Sequence, residues 1–499
     1  MQDKPENMAL KTIVKGAGIS LFGGLFGRAL GYLARVIMAR YLGPGEYGLF
    51  SLAVSVFGVI AVFVVIGLPV GIVRFVSEAR DDKEHVRSIV KTSVIVVFTV
   101  SVIVTIFLFY FSDLMFLRLF GTQRVSPLFH ALLLSLPLSA IAIILESVAV
   151  AYQKISYRMY AEEIAKNVVR IVSMVFLFFM GYDVIASVLG YSIGIAASSF
   201  TIFYFIHRNL VNLSGRWKFD KKIAADILSY SWPLALSTFL LSVVIQLDTI
   251  MLGHFLSERD VGLYNAALPT AQITIMFPVA LSSLLLSTMT ALYTSGKKKE
   301  TESIYKSVTK WLFAFTVPIT LLLIIFSREI MLVFFGIDYI GGSLPLRILA
   351  VGIMVSGVFY PSNDIINMLK KTKMQLYAAV SSLAITIALN YMLIPKFGLS
   401  GAAAATSLSL IFLSFFLLFF SHRYSGLNPF VKSISKPFVA CVVPALAISL
   451  AKVRVEGALS LSLMVPFLIA YFLSLKAMRF FSPEDRMIFD AVKRKFSGG

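Results

Sequence analysis

Residues 47–68 read YGLFSLAVSVFGVIAVFVVIGL, and this stretch decides the fold. It contains no charged residue. A helix needs about 20 mainly apolar residues to cross the ~30 Å hydrocarbon core of a bilayer. A helix buried in a soluble protein is seldom so long and so uniformly apolar. The stretch therefore predicts a transmembrane helix.

Runs of the same kind recur along the whole chain. Of its 499 residues, 58% are hydrophobic and 14% are charged, whereas a soluble domain carries about 25% charged residues. This composition excludes an ordinary soluble enzyme, and it also excludes a disordered chain, which would be poor in apolar residues. We predict an all-α integral membrane protein with about fourteen transmembrane helices, at residues 15–38, 47–68, 90–111, 127–151, 162–181, 184–206, 227–252, 262–292, 306–326, 344–367, 374–394, 398–420, 435–451 and 457–476.

The connections between these spans are short, which limits the chemistry open to the chain. The longest, residues 207–226, is about 20 residues long and too short for a separate catalytic domain. The sequence has no GxxxxGK[ST] phosphate-binding loop. Its one cysteine is Cys441, and its five histidines lie in connections or at span ends, without a second ligand at metal-binding spacing. We therefore expect no metal site and no cofactor.

The positive charges are distributed unevenly between the two sides of the membrane. When residues near a span end are assigned to the adjoining connection, 33 of the 45 Lys and Arg residues fall at the N-terminus, in the even-numbered connections and in the C-terminal tail, and 9 fall in the odd-numbered connections. The other three, Arg28, Arg35 and Arg170, lie inside spans. Positive residues in short loops mark the cytoplasmic side. We therefore predict a multi-pass protein of the cytoplasmic membrane with both termini in the cytoplasm. The same bias accounts for the net charge of +19, so nucleic acid is not an expected partner. The lysines at 297–299 and 370–371 are expected to attract anionic membrane lipids.

The chain also contains an internal repeat. Residues 42–50 read LGPGEYGLF and residues 256–264 read LSERDVGLY, which share a leucine, an acidic residue, Gly-Leu and an aromatic residue at an offset of 214. Two further matches, 119–121 with 334–336 and 181–186 with 398–403, have offsets of 215 and 217. A slowly drifting offset indicates duplication of a six-span unit; the alternative is the general likeness of helical membrane segments. Two such copies have the same orientation, with a pseudo-two-fold axis along the membrane normal and a substrate path between them.

This duplication predicts the organisation of the chain. The expected regions are a cytoplasmic N-terminal segment at 1–14, an N-lobe of spans 1–6 at 15–210, a cytoplasmic linker at 211–226, a C-lobe of spans 7–12 at 227–420, a second linker at 421–434, two C-terminal spans at 435–476 and a basic cytoplasmic tail at 477–499.

Ionisable residues inside spans are the first candidates for function, because a charge at the centre of a span costs about 2.5–3.5 kcal/mol on insertion scales. Arg28, Tyr32 and Arg35 lie at i, i+4 and i+7 of span 1 and share one helical face. Glycines at 23, 24, 27 and 31 allow another helix to approach the same span closely. We predict that the stripe faces a central cavity. The alternative is that Arg28 pairs with a buried acid while Arg35 extends to the lipid headgroups.

Other polar residues in spans are gate or coupling candidates. Ser242, Gln246 and Thr249 form a polar stripe on span 7, the copy of span 1, with Asp248 beside it. Asp248 aligns within one residue of Arg35, so a charge pair between them would close an outer gate; solvation of Asp248 at the helix end is the alternative. Four more candidates lie toward the cytoplasmic side and either line an inner vestibule or extend to the membrane surface: Arg74, Glu146, Arg170 and Asp364.

Several stretches resemble the polysaccharide exporter branch of the multidrug/oligosaccharidyl-lipid/polysaccharide superfamily, which includes O-antigen-type flippases. They are ARYLGPGEYGLFSLA (39–53), GLPVGIVRFVSEARDD (67–82), QLDTIMLGHFLSERDVGLYNAA (246–267) and GLSGAAAATSLS (398–409). The resemblance covers nearly the whole chain and implies a V-shaped transporter of two six-helix lobes and two further helices, not an enzyme. It implies that the chain moves an oligosaccharide on a polyprenyl or dolichyl phosphate or diphosphate from the inner to the outer leaflet by alternating access. Arg28 and Arg35, with Tyr32 and Gln246 near them, are then expected to bind the lipid phosphate, and Arg74 to capture the headgroup.

The energy source and the alternatives follow from the same residues. A membrane potential that is negative inside favours outward movement of an anion by ~2.3 kcal/mol per charge per 100 mV, and exchange with H⁺ or Na⁺ stays open. Proton coupling would use Glu146, Asp248 or Asp364. The expected partners are the lipid-linked oligosaccharide, membrane lipids, and a glycan polymerase or glycosyltransferases, in the plasma membrane of a prokaryote. One alternative is a multidrug/cation antiporter of the same superfamily, whose substrates Arg28 and Arg35 would repel. A second is a membrane glycan polymerase or ligase, which the short outer loops disfavour.

Overall fold

The computed structural model describes the backbone of residues 5–430, 432–452 and 457–480. It describes side chains at these positions except 5–22, 233–238, 241, 280, 282–288, 372 and 432.

The described residues are helical almost throughout, with no β-strand among them. A π-helix at Met159–Ala165 joins α6 to α7, and short 3₁₀ helices lie at Ile337–Gly342, Lys432–Ser435 and Gly457–Leu463. The α-helices are α1 Pro5–Val64, α2 Leu68–Glu78, α3 Lys83–Phe120, α4 Ser126–Leu133, α5 Leu136–Ala151, α6 Ile155–Arg158, α7 Lys166–Phe179, α8 Val184–Asn209, α9 Lys221–Phe255, α10 Glu258–Ala271, α11 Ile273–Thr294, α12 Lys298–Ile325, α13 Ser327–Phe335, α14 Ser343–Val358, α15 Tyr360–Met368, α16 Thr372–Ser425, α17 Lys436–Lys452 and α18 Met464–Ala477.

The long apolar helices confirm the predicted all-α membrane fold. Within the described ranges, eight helical stretches are long and apolar enough to cross a membrane, or nine if α4 and α5, bent by 49°, form one span. Two of the eight stretches contain a break, because Gly43 (φ 72°, ψ 172°) interrupts α1 and Gly398 (φ 56°, ψ −133°) interrupts α16. The count of fourteen spans is consistent with these helices and stays a prediction.

The Gly43 break follows from the local sequence. A positive φ is strained for a residue with a side chain and is readily adopted by glycine. Pro44 follows, and its missing N–H and fixed φ suit the first position of a new helix. The sequence Gly43-Pro44 therefore ends one helix and starts the next without a long loop.

The chain divides into two compact units. The first unit comprises Met1–Ala266 and Asn390–Gly398, and the second comprises Ala267–Leu389 and Leu399–Gly499. In the first unit, α7 packs along α8, α5 packs against α3 and α8, and α1 packs against α9. In the second unit, α12 packs against α11 and α14, and α17 packs against α18. The lobe boundaries expected from the sequence, 15–210 and 227–420, stay predictions.

The two copies of the repeated motif contact each other inside the first unit. A Cβ placed on Gly48 would lie 1.8 Å from the carbonyl oxygen of Glu258, and a Cβ on Gly262 would lie 1.9 Å from that of Pro44. Both contacts therefore require glycine. Residues 44 and 48 of the first copy correspond to 258 and 262 of the second at the offset of 214. Gly48 thus meets the counterpart of Pro44, and the counterpart of Gly48 meets Pro44 itself. A two-fold axis produces such reciprocal contacts.

Arg124 bridges the same two copies. One Nη nitrogen of Arg124 lies 2.7 Å from Glu46 Oε1, and the other lies 3.3 Å from Glu258 Oε2. Tyr47 adds a hydrogen bond from its hydroxyl to the carbonyl oxygen of Asn265, at 3.2 Å. We call this region, residues 44–48 and 258–265 with Arg124, the repeat contact.

Candidate substrate site

The glycine-rich face of α1 packs closely on the helix that contains the π-helical turn. Cβ atoms built on the α1 glycines would meet side chains spaced four residues apart on the facing helix: Gly23 meets Met159, Gly27 meets Glu163, and Gly31 meets Asn167. At Gly27 the distance to Glu163 Cβ would be only 2.4 Å. Asn167 also donates from Nδ2 to the carbonyl oxygen of Gly27, at 3.3 Å. The close helix approach predicted from these glycines is therefore confirmed, and it places the segment from 158 to 170 beside the arginines of α1.

This segment contains four charged residues at four-residue spacing: Arg158, Glu162, Lys166 and Arg170. Lys166 Nζ lies 2.8 Å from Glu162 Oε1, and Arg158 Nε lies 3.3 Å from Oε2 of Glu146 on α5. The π-helical turn lies between Arg158 and Lys166. Such turns are rare and occur often at functional sites.

Arg170 is a buried positive charge. Its side chain is 6% exposed, and its Cζ lies 5.0 Å from the ring centroid of Tyr191 and 5.8 Å from that of Phe50. Its Nε has no hydrogen-bond partner among the described residues. Arg35 lies within electrostatic range of Arg170, and both act on the hydroxyl of Tyr47. Aromatic faces favour a cation over them, but they do not accept the hydrogen bonds of a guanidinium as a carboxylate does.

Basic residues outnumber acids along the segment 158–170 and the arginine-bearing part of α1. We call the five basic residues the cationic cluster: Arg28, Arg35, Arg158, Lys166 and Arg170. Its acids are Glu146 next to Arg158, Glu162 next to Lys166, and Glu163 within electrostatic range of Arg28. Within the part of the chain that the structure describes, neither Arg35 nor Arg170 forms a salt bridge with an acid. A desolvated charge without a partner costs several kcal/mol, so the buried Arg170, with the exposed Arg35 near it, suits a site that receives an anion.

The arginines predicted on span 1 belong to this cluster. Arg28 and Arg35 are exposed, and Tyr32 between them is half-buried. Arg170, a gate or coupling candidate in the sequence, lies with them. Gln246 is half-buried on α9, with its Nε2 3.0 Å from the position of a Cβ on Gly58 of α1. A role for these residues in binding substrate stays a prediction.

Asp248 occupies a different environment. It is 5% exposed, and its two oxygens accept hydrogen bonds from the hydroxyl of Tyr264 at 3.2 Å and from Nδ2 of Asn390 at 2.8 Å. These bonds give Asp248 a structural role, while the gate pair with Arg35 stays a prediction. Asp364 is buried on α15 in the second unit.

Arg74 and Glu146 lie at one cavity in the first unit. Arg74 is exposed, bonds Glu78 and lies over the ring of Tyr230, whereas Glu146 is buried against Arg158. The cavity also has Arg158 and Tyr230 in its lining. The described residues contain no group of three His, Cys, Asp or Glu side chains placed to hold a metal ion.

Sequence reasoning missed the basic and acidic residues between 158 and 167. The sequence predicts that span 5 begins at 162, so Arg158 falls in the preceding connection and Lys166 near the span end, where basic residues are read as topology signals. The helical segment begins earlier, at Ile155. The alternation of Arg158, Glu162 and Lys166 at four-residue spacing was the available signal, because such residues share one helical face.

The long apolar helices are those of a multi-pass membrane protein, and the comparisons with known proteins place it in the transporter class. Residues 13–293 match the family described as polysaccharide biosynthesis protein, and residues 233–392 match the family described as MatE. Because the first match covers more than half of the chain, the chain belongs to the polysaccharide biosynthesis protein family. The resemblance to the superfamily that contains these two families is confirmed.

Individual relatives agree with this assignment. The chain is 25% identical over 403 residues to the probable low-salt glycan biosynthesis flippase Agl15 of Haloferax volcanii, covering 79% of this chain and 80% of that protein. It is 21% identical over 408 residues to the putative O-antigen transporter of Shigella flexneri, covering 80% and 95%. Its fold is similar to that of the lipid II flippase MurJ in an inward closed conformation, with a TM-score of 0.78, 19% identity and coverage of 92% and 98%.

Proposed function

We propose that the chain is a flippase that moves a lipid-linked oligosaccharide from the inner to the outer leaflet of a prokaryotic plasma membrane by alternating access. The observation that carries this proposal is the surplus of positive charge at Arg35 and Arg170 within apolar helices. The names of the relatives, a glycan biosynthesis flippase and an O-antigen transporter, support the same substrate class.

The cationic cluster suits a phosphate or diphosphate linker. A guanidinium offers parallel N–H groups that bind two phosphate oxygens at once. Arg170 is held by aromatic rings, so little rotamer entropy is lost when it binds. Arg28 and Arg35 are exposed and can follow the ligand. The lipid tail can stay in the bilayer while the phosphates and the glycan pass through the protein.

The repeat contact supports the alternating-access part of the proposal. Residues 44–48 and 258–265 lie at connections that the charge bias predicts to be extracellular. Their backbones contact each other, which supports a state in which the outer side is closed. Substrate then enters from the cytoplasmic side, and separation of the two motif copies opens the exit.

The driving force follows from charge. With both termini in the cytoplasm and the inside negative, an outward-moving anion gains ~2.3 kcal/mol per charge per 100 mV. Transport therefore needs no cofactor and no bound metal, and a coupling ion such as H⁺ or Na⁺ would add to this driving force. A glycan polymerase or glycosyltransferases would use the exported product.

A flipping assay tests this function directly. Protein in proteoliposomes receives a polyprenyl diphosphate sugar with a fluorescent label on the sugar, and an impermeant quencher reports the fraction in the outer leaflet. We expect Arg28→Gln and Arg35→Gln to slow flipping at least about tenfold, because each removes a charge-assisted bond. The control is Arg40→Gln, an exposed arginine on another face of the same helix, which should flip normally. Equal rates in all three variants would contradict the proposal.

The match of residues 233–392 to the MatE family favours one rival, a multidrug/cation antiporter. Such a protein binds organic cations, which the cationic cluster would repel. The test is expression of the chain in a host that lacks its own drug efflux pumps. Drug export that Asp248→Asn reduces and Arg28→Gln leaves unchanged would favour the antiporter over the flippase.

A further inference from the structure

A second site shares Arg158 with the cationic cluster, but Arg28, Arg35 and Arg170 are not in its lining. A cavity of about 510 Å³ opens in the first unit between α2, α5, α6 and the first turns of α9. Its wall is mainly apolar and is formed by Pro69, Val70, Val73, Ile143 and Val150. The charge bias of the loops predicts that this end of the helices faces the cytoplasm.

Two arginines also line the cavity, Arg74 next to this wall on α2 and Arg158 on α6, and each contacts an acid through Nε. Arg158 contacts Glu146 through Nε at 3.3 Å, and the described residues provide no hydrogen bond or salt bridge to its two Nη groups. Arg74 bonds Glu78 through Nε at 2.8 Å, and its Cζ lies 4.5 Å from the ring centroid of Tyr230. Bonding through Nε leaves the two Nη groups of Arg158 available to a ligand. Arg74 also interacts with the hydroxyl of Tyr230, and its half-exposed side chain can still reach a ligand.

The two arginines are exposed and the acid beside Arg158 is buried, so the arginines can bind and release a ligand. The side chains of Arg74 and Arg158 are 50% and 55% exposed, so they can turn toward a ligand without leaving a void. Glu146 is 7% exposed, and its Oε1 has no partner among the described residues. Glu146 therefore orients Arg158 and is itself poorly placed to bind a ligand in the cavity.

We propose that this cavity binds the phosphate end of a lipid phosphate, with phosphate oxygens on Arg74 and Arg158 and the first part of the hydrocarbon chain against the valine-rich wall. An apolar wall beside guanidinium groups matches an amphipathic anion better than inorganic phosphate, because the hydrocarbon chain gains burial that inorganic phosphate lacks. This inference rests on the proposed function and adds a capture step before the substrate reaches Arg28 and Arg35.

The test uses the full-length protein in nanodiscs and a photoactivatable polyprenyl phosphate, whose attachment sites are mapped by mass spectrometry. We expect labelling of the segments around Val70, Val73 and Val150. Arg74→Gln/Arg158→Gln should weaken binding at least about tenfold, because hydrogen bonds to charged groups are lost. The matched control is Arg208→Gln, since Arg208 is also exposed and lies over a tyrosine ring, that of Tyr204. It should bind and label as the unaltered protein does.

Competition identifies the source of the phosphate. Unlabelled polyprenyl phosphate should displace the probe, whereas equal concentrations of phosphatidylglycerol or inorganic phosphate should not. Displacement by phosphatidylglycerol would assign the cavity to surrounding phospholipid, and displacement by inorganic phosphate would remove the role of the apolar wall; either result overturns the proposal. Arg74→Lys/Arg158→Lys keeps the charges and should restore part of the binding, which separates loss of binding from misfolding.

The two proposals fail in different ways. If the double glutamine variant is labelled in the cavity as before and the unaltered protein flips normally, the capture site alone is contradicted. Absence of flipping by the unaltered protein, with labelling that still depends on Arg74 and Arg158, would sink the proposed function and leave the cavity as a lipid phosphate site.

Discussion

Arg170 and Asp248 are both buried charges in the first unit, and their surroundings differ. Asp248 receives hydrogen bonds on both oxygens, from Tyr264 and Asn390. Arg170 is packed between aromatic rings, and its Nε has no partner among the described residues. Folding alone explains the first arrangement, because a satisfied buried ion stabilises the helices around it. It does not explain the second, which is why we propose that Asp248 serves the structure and Arg170 serves a ligand.

The largest effect is expected at Arg170. Arg170→Met removes the charge and keeps most of the volume, so flipping should fall about 100-fold. The thermal midpoint should stay or rise, since replacing an unsatisfied buried charge by an apolar group is often neutral or stabilising. Arg170→Lys keeps the charge without the planar fork and should give an intermediate flipping rate. Normal flipping together with reduced stability in Arg170→Met would place Arg170 with Asp248 as a structural residue.

Asp248→Ala should affect stability more than transport. It leaves the Tyr264 hydroxyl and the Asn390 amide without their acceptor, so the free energy of unfolding should fall by ~2–4 kcal/mol. Denaturation in detergent micelles measures this change, and the flipping rate per folded molecule should stay within about threefold. Asp248→Asn retains one acceptor and should cost less. A stable Asp248→Ala variant that does not transport would show instead that Asp248 acts in gating or coupling.

Arg124→Gln, at the repeat contact, is expected to have the smallest effect on flipping and on stability. Arg124 is 58% exposed, and exposed salt bridges contribute about 0–1 kcal/mol each. The loss should be visible at low ionic strength and vanish at high salt, because salt screens surface charges. Flipping rates and thermal midpoints measured at both salt concentrations check this. A large, salt-independent loss would mean that Arg124 controls the closed state.

Much of the architecture could be predicted from the sequence. Apolar length gave the membrane helices, and glycine and proline marked breaks such as the one at Gly43. The glycines of span 1 correctly indicated a close helix contact, because small residues have few other uses on one face of a membrane helix. The partner helix could not be predicted, since any of the other spans would have satisfied the same pattern.

The site could be predicted only in part. Arg28 and Arg35 stood out because they interrupt an apolar span, and Arg170 stood out for the same reason. Arg158 and Lys166 did not, because basic residues near a span end are normally topology signals. The π-helical turn at Met159–Ala165 was also beyond sequence reasoning, as it depends on the packing of neighbouring helices. Charge alternation along a helix is the pattern that would have revealed these residues.

Gly48 and Gly262 each pack against the backbone of the other copy of the repeated motif, and this bears on the origin of the chain. A chain of half this length would carry one copy of the motif and could make the same contact only with a second molecule. When both copies lie in one chain, the contact no longer depends on the concentration of protein in the membrane, because the connecting residues set a fixed effective concentration. It also couples the two glycines in evolution, since a side chain gained at one position would push away the backbone on which the other depends.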